Sequence, residues 1–411
     1  MHDLKIKRIP FKRIKKISSA TLGFIIFLFF LCNLNSVFAQ TVSANWIAKN
    51  MKDADAQYKV LMQKIPDGVM PESFQGDSLK TCTSSNWVAG FYPGTLLYLY
   101  EATKDKVLYN EALKKITLMD KQQYNKGTHD LGFMMYCSYG NLYKIKPNDA
   151  YKQILLNSAR SLSTRFNPKV GCIRSWGKSS DSTEFRVIID NMMNLELLMW
   201  ATKVTGDSSF YKIAVTHANT TMKNHFRPDY SSYHVVVYNP VTGAIIKKQT
   251  AQGAADESAW ARGQSWGLYG YTMMYRFTKN KKYLDLAQHI AKFLLTNPNL
   301  PADKIPYWDY NAPGIPNADR DASAGAIMAS ALIELSGYSN KALSKEYLNT
   351  ASTILHTLSS SEYKATIGSN GGFLLKHSVA NMNSNAEVNA PLPYADYYYV
   401  EAMNRYRKLL K

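Results

Sequence analysis

The sequence predicts an all-α fold, an (α/α)6 barrel (a toroid of six helical hairpins) in a single domain. Three observations carry this reading. Five segments pair a Leu or an aromatic residue with an Ala four positions later: Leu108/Ala112, Leu155/Ala159, Phe210/Ala214, Tyr283/Ala287 and Tyr347/Ala351. Residues four apart share one helical face, so each pair marks an amphipathic helix with a small-plus-large stripe. Between these lie segments rich in Gly, Met and aromatic residues, over 87–103, 131–144, 191–203, 259–277, 322–336 and 394–407. They are apolar around most of their circumference, as helices buried on several sides are. An opening helix over 44–65 completes an alternation of six amphipathic and six buried helices. In a closed barrel the buried set forms the inner ring; an open helical solenoid is the competing arrangement. The Gly-, Asn- and Pro-rich stretch 300–320 reads as a long loop within the domain.

The chain has 411 residues, 46% hydrophobic and 19% charged, enough apolar material for a large core and too much for a disordered chain. Residues 1–39 read as a secretory signal. Lys5, Lys7, Arg8, Lys12, Arg13, Lys15 and Lys16 precede an apolar run over 20–32, and Val37-Phe38-Ala39 supplies the cleavage site. The run is shorter than the ~20 apolar residues of a membrane span, and Asn33 and Asn35 end it. A barrel over 40–411 that is exported, periplasmic or secreted, and free of the membrane after cleavage is therefore expected. Taking those seven basic residues and Asp3 from the 49 basic and 31 acidic of the whole chain leaves a net charge of +12. Such a balance suits an anionic partner, for example an acidic polysaccharide. Basic runs interleaved with aromatic residues are absent, so nucleic acid is not expected. Cys82, Cys137 and Cys172 remain, an odd number with no CxxC and no Cys/His cluster, so no zinc site is predicted.

All inner helices of an alternating barrel run the same way, so their N-termini gather at one mouth. The residues there are distinctive: Ser84-Ser85-Asn86 before Trp87, His129-Asp130 before Leu131, Asp190 before Asn191, and Glu257-Ser258 before Ala259. Each Asp or Asn has an ordinary role as an N-cap. Their convergence on one mouth favours chemistry for Asp130 and Asp190. The densest cluster is Trp260-Ala261-Arg262-Gly263-Gln264-Ser265-Trp266-Gly267. Arg262 carries a planar fork suited to a carboxylate, and Trp260 and Trp266 can offer ring faces to a sugar. The competing roles are an ion pair between Arg262 and a barrel aspartate, with the tryptophans as core. Two carboxylates, an Arg fork and several Trp at one mouth suggest a site for an acidic sugar.

These motifs resemble glycoside hydrolase family 88, the unsaturated glucuronyl hydrolases. The resemblance rests on Asn86-Trp87-x-x-Gly90-Phe91-x-Pro93-Gly94, His129-Asp130-Leu131-Gly132-Phe133, Asp190-Asn191-Met192-Met193-Asn194 and Trp260 to Trp266. It extends through His377-Ser378-Val379 and Tyr394-Ala395-Asp396-Tyr397. It implies an (α/α)6 barrel acting downstream of polysaccharide lyases, which leave a C4=C5 double bond in a terminal uronic acid. The family protonates C4 and adds water at C5, and the hemiketal opens to release the sugar, without metal or organic cofactor. By motif match Asp190 is the general acid and base and Asp130 assists. The resemblance also implies substrate roles for His234, Gln252, Arg262 and Trp266, with Trp87, His129, Trp176 and Trp260 lining the pocket. Unsaturated rhamnogalacturonyl hydrolases, which act on pectin fragments, are the neighbouring alternative. An exported helical glycan-binding protein without catalysis is the alternative from another class.

Two expectations concern energetics and selectivity. A helix N-terminus lowers a carboxyl pKa, whereas a general acid needs it raised, so desolvation or repulsion from Asp130 must dominate at Asp190. The loop over 368–389 precedes the last inner helix and borders the neighbouring sugar position. It offers Ser369, Lys376, His377 and Ser378, but Ala380 and Met382 add no charge, which argues against a strong dependence on sulfate.

Overall fold

The computed structural model describes residues 42–178 and 180–411; the export segment expected over 1–39 lies outside the described residues. Among these, twelve α-helices alternate between an outer and an inner layer. They are α1 (Ala44–Lys64), α2 (Phe91–Thr103), α3 (Lys106–Thr117), α4 (Asn141–Ile145), α5 (Asp149–Ser163), α6 (Asn191–Thr205), α7 (Ser208–His225), α8 (Ala261–Thr278), α9 (Lys281–Thr296), α10 (Ala322–Ser336), α11 (Lys341–Leu358) and α12 (Pro393–Leu409). A 3-10 turn (Trp87–Gly90) leads into α2, and a π-helical segment (Gly132–Gly140) runs into α4.

The inner helices touch in sequence, from α2 to the π segment, α6, α8, α10, α12 and back to α2. That closure makes an (α/α)6 barrel and excludes the open solenoid. Inner helices bury nearly every residue: in α10 all but Glu334 are inside. The outer helices bury one stripe, including each of the predicted Ala residues at 112, 159, 214, 287 and 351.

The two ends of the barrel differ because their connections differ. Three of the links from inner to outer helix are two-residue turns of one design: Lys104-Asp105, Gly206-Asp207 and Lys279-Asn280. The first residue takes a left-handed conformation (φ 64°, 76° and 55°) that ends one helix. The second caps the next, its side chain accepting from the N–H of Val107, Ser209 or Lys282.

Links into the inner helices are long, and they hold every described strand. A hairpin of β1 (Met70–Gln75) and β2 (Ser78–Cys82) precedes α2, and the two-residue strands β3 (Phe166–Asn167) and β4 (Cys172–Ile173) follow α5. β5 (Phe185–Ile188), β6 (Val235–Tyr238) and β7 (Ile245–Gln249) form an antiparallel sheet in that order. The sequence reading placed no strands here. β6 is Val-Val-Val-Tyr, wholly buried, a β-branched run that fills a central strand well. This sheet ties the link that ends in Asp190, before α6, to the link that enters α8, whose first turn carries Arg262.

Candidate active site

Asp190 stands immediately before α6 with helical backbone angles, φ −54° and ψ −29°, and its side chain caps nothing. Asp130 lies one residue further out than the cap position, which Leu131 takes, and its carboxylate accepts from Thr128 Oγ1 at 2.9 Å. The capping role that sequence allows for both is therefore filled by neither. Asn86 and Asp321 do cap, accepting from the N–H of Val88 and Ser323. A close approach fixes the two aspartates relative to each other: a Cβ on Gly132 would meet Asn194 Cα at 2.4 Å, and Asn194 Oδ1 accepts from Phe133 N at 3.0 Å.

The Asp190 side chain is 13% exposed, and its Oδ2 is buried without a hydrogen bond. Burial pushes its carboxyl up to about 7, and the charge of Asp130 adds to the rise. The Arg262 charge, the Asp190 N–H and the Trp266 indole act in the other direction. Desolvation is the largest of these effects, so the helix-terminus effect is overridden mainly by burial and only secondarily by Asp130.

Beside Asp190 sits His234, at the entry to β6. Its Nδ1 accepts from Ala251 N at 3.1 Å and Gln252 N at 3.3 Å. With both donors on Nδ1, the ring hydrogen is on Nε2, which lies 3.8 Å from Asp190 Oδ2. Burial holds the imidazole down to about 3, so it is neutral. His129 is likewise buried, with Nε2 3.3 Å from Asp130 Oδ1, and its pKa is lowered chiefly by desolvation.

The nominated aromatic residues join in one wall. Trp176 meets His234 edge-on at 5.7 Å, and His234 lies 4.5 Å from Trp260. The Arg262 guanidinium covers Trp260 at 4.5 Å and reaches Tyr394 at 5.4 Å. Tyr394 lies 5.0 Å from Trp87, Trp87 5.7 Å from Phe133, and Phe133 5.0 Å from Trp266. Trp87 and Trp176 are half-buried and keep open surface, whereas Trp260 and Trp266 are buried. The sugar-facing platforms that sequence suggests at Trp260 and Trp266 are thus packed inside, and Trp87 and Trp176 are the open rings.

Arg262 departs from the open fork expected of it. It is 2% exposed. Nη1 donates to Asp321 Oδ2 at 3.2 Å and to Val379 O; Nη2 donates to Gln252 Oε1 at 2.9 Å and Ala380 O at 2.6 Å. Both ends of the fork are engaged within the protein, with Asp321 the barrel aspartate of the competing reading. Sequence reasoning missed Asp321, although an Asp directly before a predicted inner helix was a visible signal. In the 368–389 loop, Lys376 Nζ donates to Ser361 O, His377 pairs with Asn389 and Ser378 is buried. The site thus offers a carboxyl pushed up to about 7, a neutral imidazole N–H beside it, and a second carboxyl group just ahead of the adjoining π segment.

The family model described as Glycosyl Hydrolase Family 88 matches residues 54–409. An unsaturated glucuronyl hydrolase of Formosa agariphila is 48% identical over 328 residues, 80% of this chain and 81% of its own. An unsaturated chondroitin disaccharide hydrolase of Streptococcus pneumoniae is 32% identical over 330 residues, 79% of this chain and 83% of its own. Among solved structures, an unsaturated glucuronyl hydrolase specific for heparin superposes with a TM-score of 0.86 at 48% identity, covering 90% of this chain and all of its own. With the barrel, the paired aspartates and these likenesses in agreement, the chain belongs to Glycosyl Hydrolase Family 88.

Proposed function

We propose that this glycoside hydrolase releases the terminal Δ4,5-unsaturated uronic acid from glycosaminoglycan oligosaccharides cut by lyases. The observation that carries the reading is the Asp190 carboxyl, pushed up to about 7 inside an aromatic wall next to a neutral imidazole. In this mechanism protonated Asp190 gives its proton to C4 of the vinyl ether. Positive charge develops at C5 and the ring oxygen, and the Asp130 carboxylate stabilises it. Water adds at C5 and returns a proton to Asp190, so the carboxyl ends as it began. The C5 hemiketal then opens and the aglycone sugar leaves. His234 directs its Nε2–H toward Asp190 and the substrate, and Trp87 and Trp176 pack against the sugar rings. Gln252, Arg262, His129, Trp260 and Trp266 shape the pocket around them.

The relatives named above support the glucuronyl reading over the pectin-directed alternative. Paired aspartates of this kind have no use in a non-catalytic glycan-binding protein. The 48% likeness to a structure specific for heparin, against 32% for the chondroitin enzyme, favours a heparin-derived disaccharide. The internally bonded polar groups of the 368–389 loop support weak dependence on sulfate. Export through residues 1–39 brings the enzyme to lyase products outside the cytoplasm, as the basic, apolar and small-residue pattern supports. The reaction destroys a conjugated alkene, so loss of its ultraviolet absorbance with unsaturated heparin, chondroitin and hyaluronan disaccharides tests the activity and ranks the substrates. Absence of turnover on all three would refute the reading.

A further inference from the structure

The motif Tyr394-Ala395-Asp396-Tyr397 contains an aspartate that has no part in the chemistry above. Asp396 is wholly buried in the first turn of α12. Its Oδ1 accepts from Leu375 N at 2.9 Å, and its Oδ2 accepts from Leu374 N at 2.9 Å and Tyr58 Oη at 3.0 Å. Burying a carboxyl costs several kcal/mol by order of magnitude unless its oxygens are bonded. Holding two successive backbone amides needs two acceptor oxygens on one short side chain. Asn has a single acceptor, and its NH2 would face a second N–H.

The pinned residues lead straight into the wall of the site. His377 O accepts from Ala322 N at 2.9 Å, and Val379 N donates to Asp321 Oδ1 at 3.4 Å. The carbonyls of Val379 and Ala380 then receive the two ends of the Arg262 fork. Further on, Asn383 Nδ2 donates to Ala251 O at 3.2 Å and Gly253 O at 2.9 Å, on either side of Gln252. Ala251 N and Gln252 N are the donors that set the His234 tautomer. The segment from Leu374 to Asn383 therefore aligns both Arg262 and His234, and Asp396 anchors its entry.

We propose that Asp396 is a positioning residue for the reaction: by pinning Leu374 and Leu375 it sets the segment whose carbonyls aim Arg262 beside Asp190. This rests on the reading of Asp190 as proton donor. The ionisable groups facing Asp190 are Arg262 from α8, Asp130 ahead of the π segment, His234 at the entry to β6 and Tyr394 from α12. Arg262 lowers the Asp190 pKa and Asp130 raises it, while His234 and Tyr394 are neutral through burial. Releasing the segment loosens the cation, so the proton affinity of Asp190 rises.

The test is the pH dependence of kcat/KM for Asp396→Asn on an unsaturated disaccharide, with the Asp190 carboxyl followed in the same variant by infrared titration, because burial pushes the Asp396 carboxyl itself up to about 7. A fall of about tenfold or more is expected, with the high-pH inflection moved upward by about half a pH unit. Lost stability would move that inflection downward, because ionised Asp190 weakens the fold as pH rises, so an upward movement is not a sign of unfolding. Tyr58→Phe removes the third bond but leaves both amides held; it should lower the melting temperature and leave the inflection in place. An unmoved inflection in Asp396→Asn, or an equal movement in Tyr58→Phe, overturns the proposal. If Asp396→Asn yields no soluble protein, Asn383→Ala releases the same segment at its far end and must show the upward shift. If the wild type does not consume the alkene, it is the reading of the reaction that fails. Infrared titration of the Asp190 carboxyl, taken as wild type minus Asp190→Asn, then decides whether Asp396→Asn raises it.

Discussion

His234 presents its Nε2 to Asp190 Oδ2 across 3.8 Å, with the ring hydrogen placed there because two backbone N–H groups occupy Nδ1. The distance is too long for a hydrogen bond and short enough for both groups to meet one substrate atom or one water. A neutral donor is useful here, since an imidazolium at that distance would pull the carboxyl pKa down and weaken it as an acid. The acid and its neighbour are thus tuned in opposite directions by the same burial.

The first prediction concerns the pH profile. Asp190 must be protonated to act, and its carboxyl is pushed up to about 7. Activity should therefore fall tenfold per unit above that value, with kcat/KM reporting the free enzyme. An inflection near 4, where an ordinary carboxyl titrates, would show that burial does not tune this group.

The same shift makes a stability statement. The folded pKa of Asp190 is raised above its unfolded value, so the favourable contribution is present at low pH and is lost as pH rises from about 4 to about 7. Above that window the ionised carboxyl costs about 1–4 kcal/mol. Asp190→Asn should hence melt higher than the wild type at alkaline pH, with the difference closing toward pH 4. Equal melting temperatures across that range would contradict the burial assigned to Asp190.

His234 should not titrate in the working range. Its pKa is held at about 3 by burial, so its ring resonances should stay fixed between about pH 5 and 9. A histidine shift midpoint near 6.5 assigned to His234 would make it cationic and reverse its role.

Arg262→Lys should lose more than about tenfold in kcat/KM and lower stability by about 2–5 kcal/mol. A point charge cannot serve Asp321, Gln252 and two carbonyls at once, and Asp321, fully buried, loses its partner. Activity assays must be paired with thermal melts. Unchanged kinetics together with an unchanged melt would show that the fork is dispensable.

Much of this was legible in the chain because the signals were local. Helix α10 spans the predicted 322–336, and α6 begins at the predicted Asn191. Ala four residues after a large apolar residue is a pattern that short-range packing imposes. What was not legible depended on distant partners. The acceptors that close around Arg262 include carbonyls at Val379 and Ala380, more than a hundred positions away, and no spacing rule points to a carbonyl. The three-stranded sheet pairs Phe185–Ile188 with Val235–Tyr238 across an intervening helical hairpin, and short strands of that kind leave little periodicity to read. Burial of Trp260 and Trp266, against the openness of Trp87 and Trp176, is likewise decided by which rings neighbouring helices cover.

The most direct test of the central claim is turnover by Asp190→Asn, followed as loss of the alkene absorbance on an unsaturated disaccharide. The Asp190 side chain caps no helix, so the substitution removes a proton donor without removing a helix cap. A folded variant that still binds the disaccharide should be slowed about 10²–10⁴-fold. A folded variant that consumes the alkene at close to the wild-type rate would show that the proton comes from elsewhere and would contradict the mechanism.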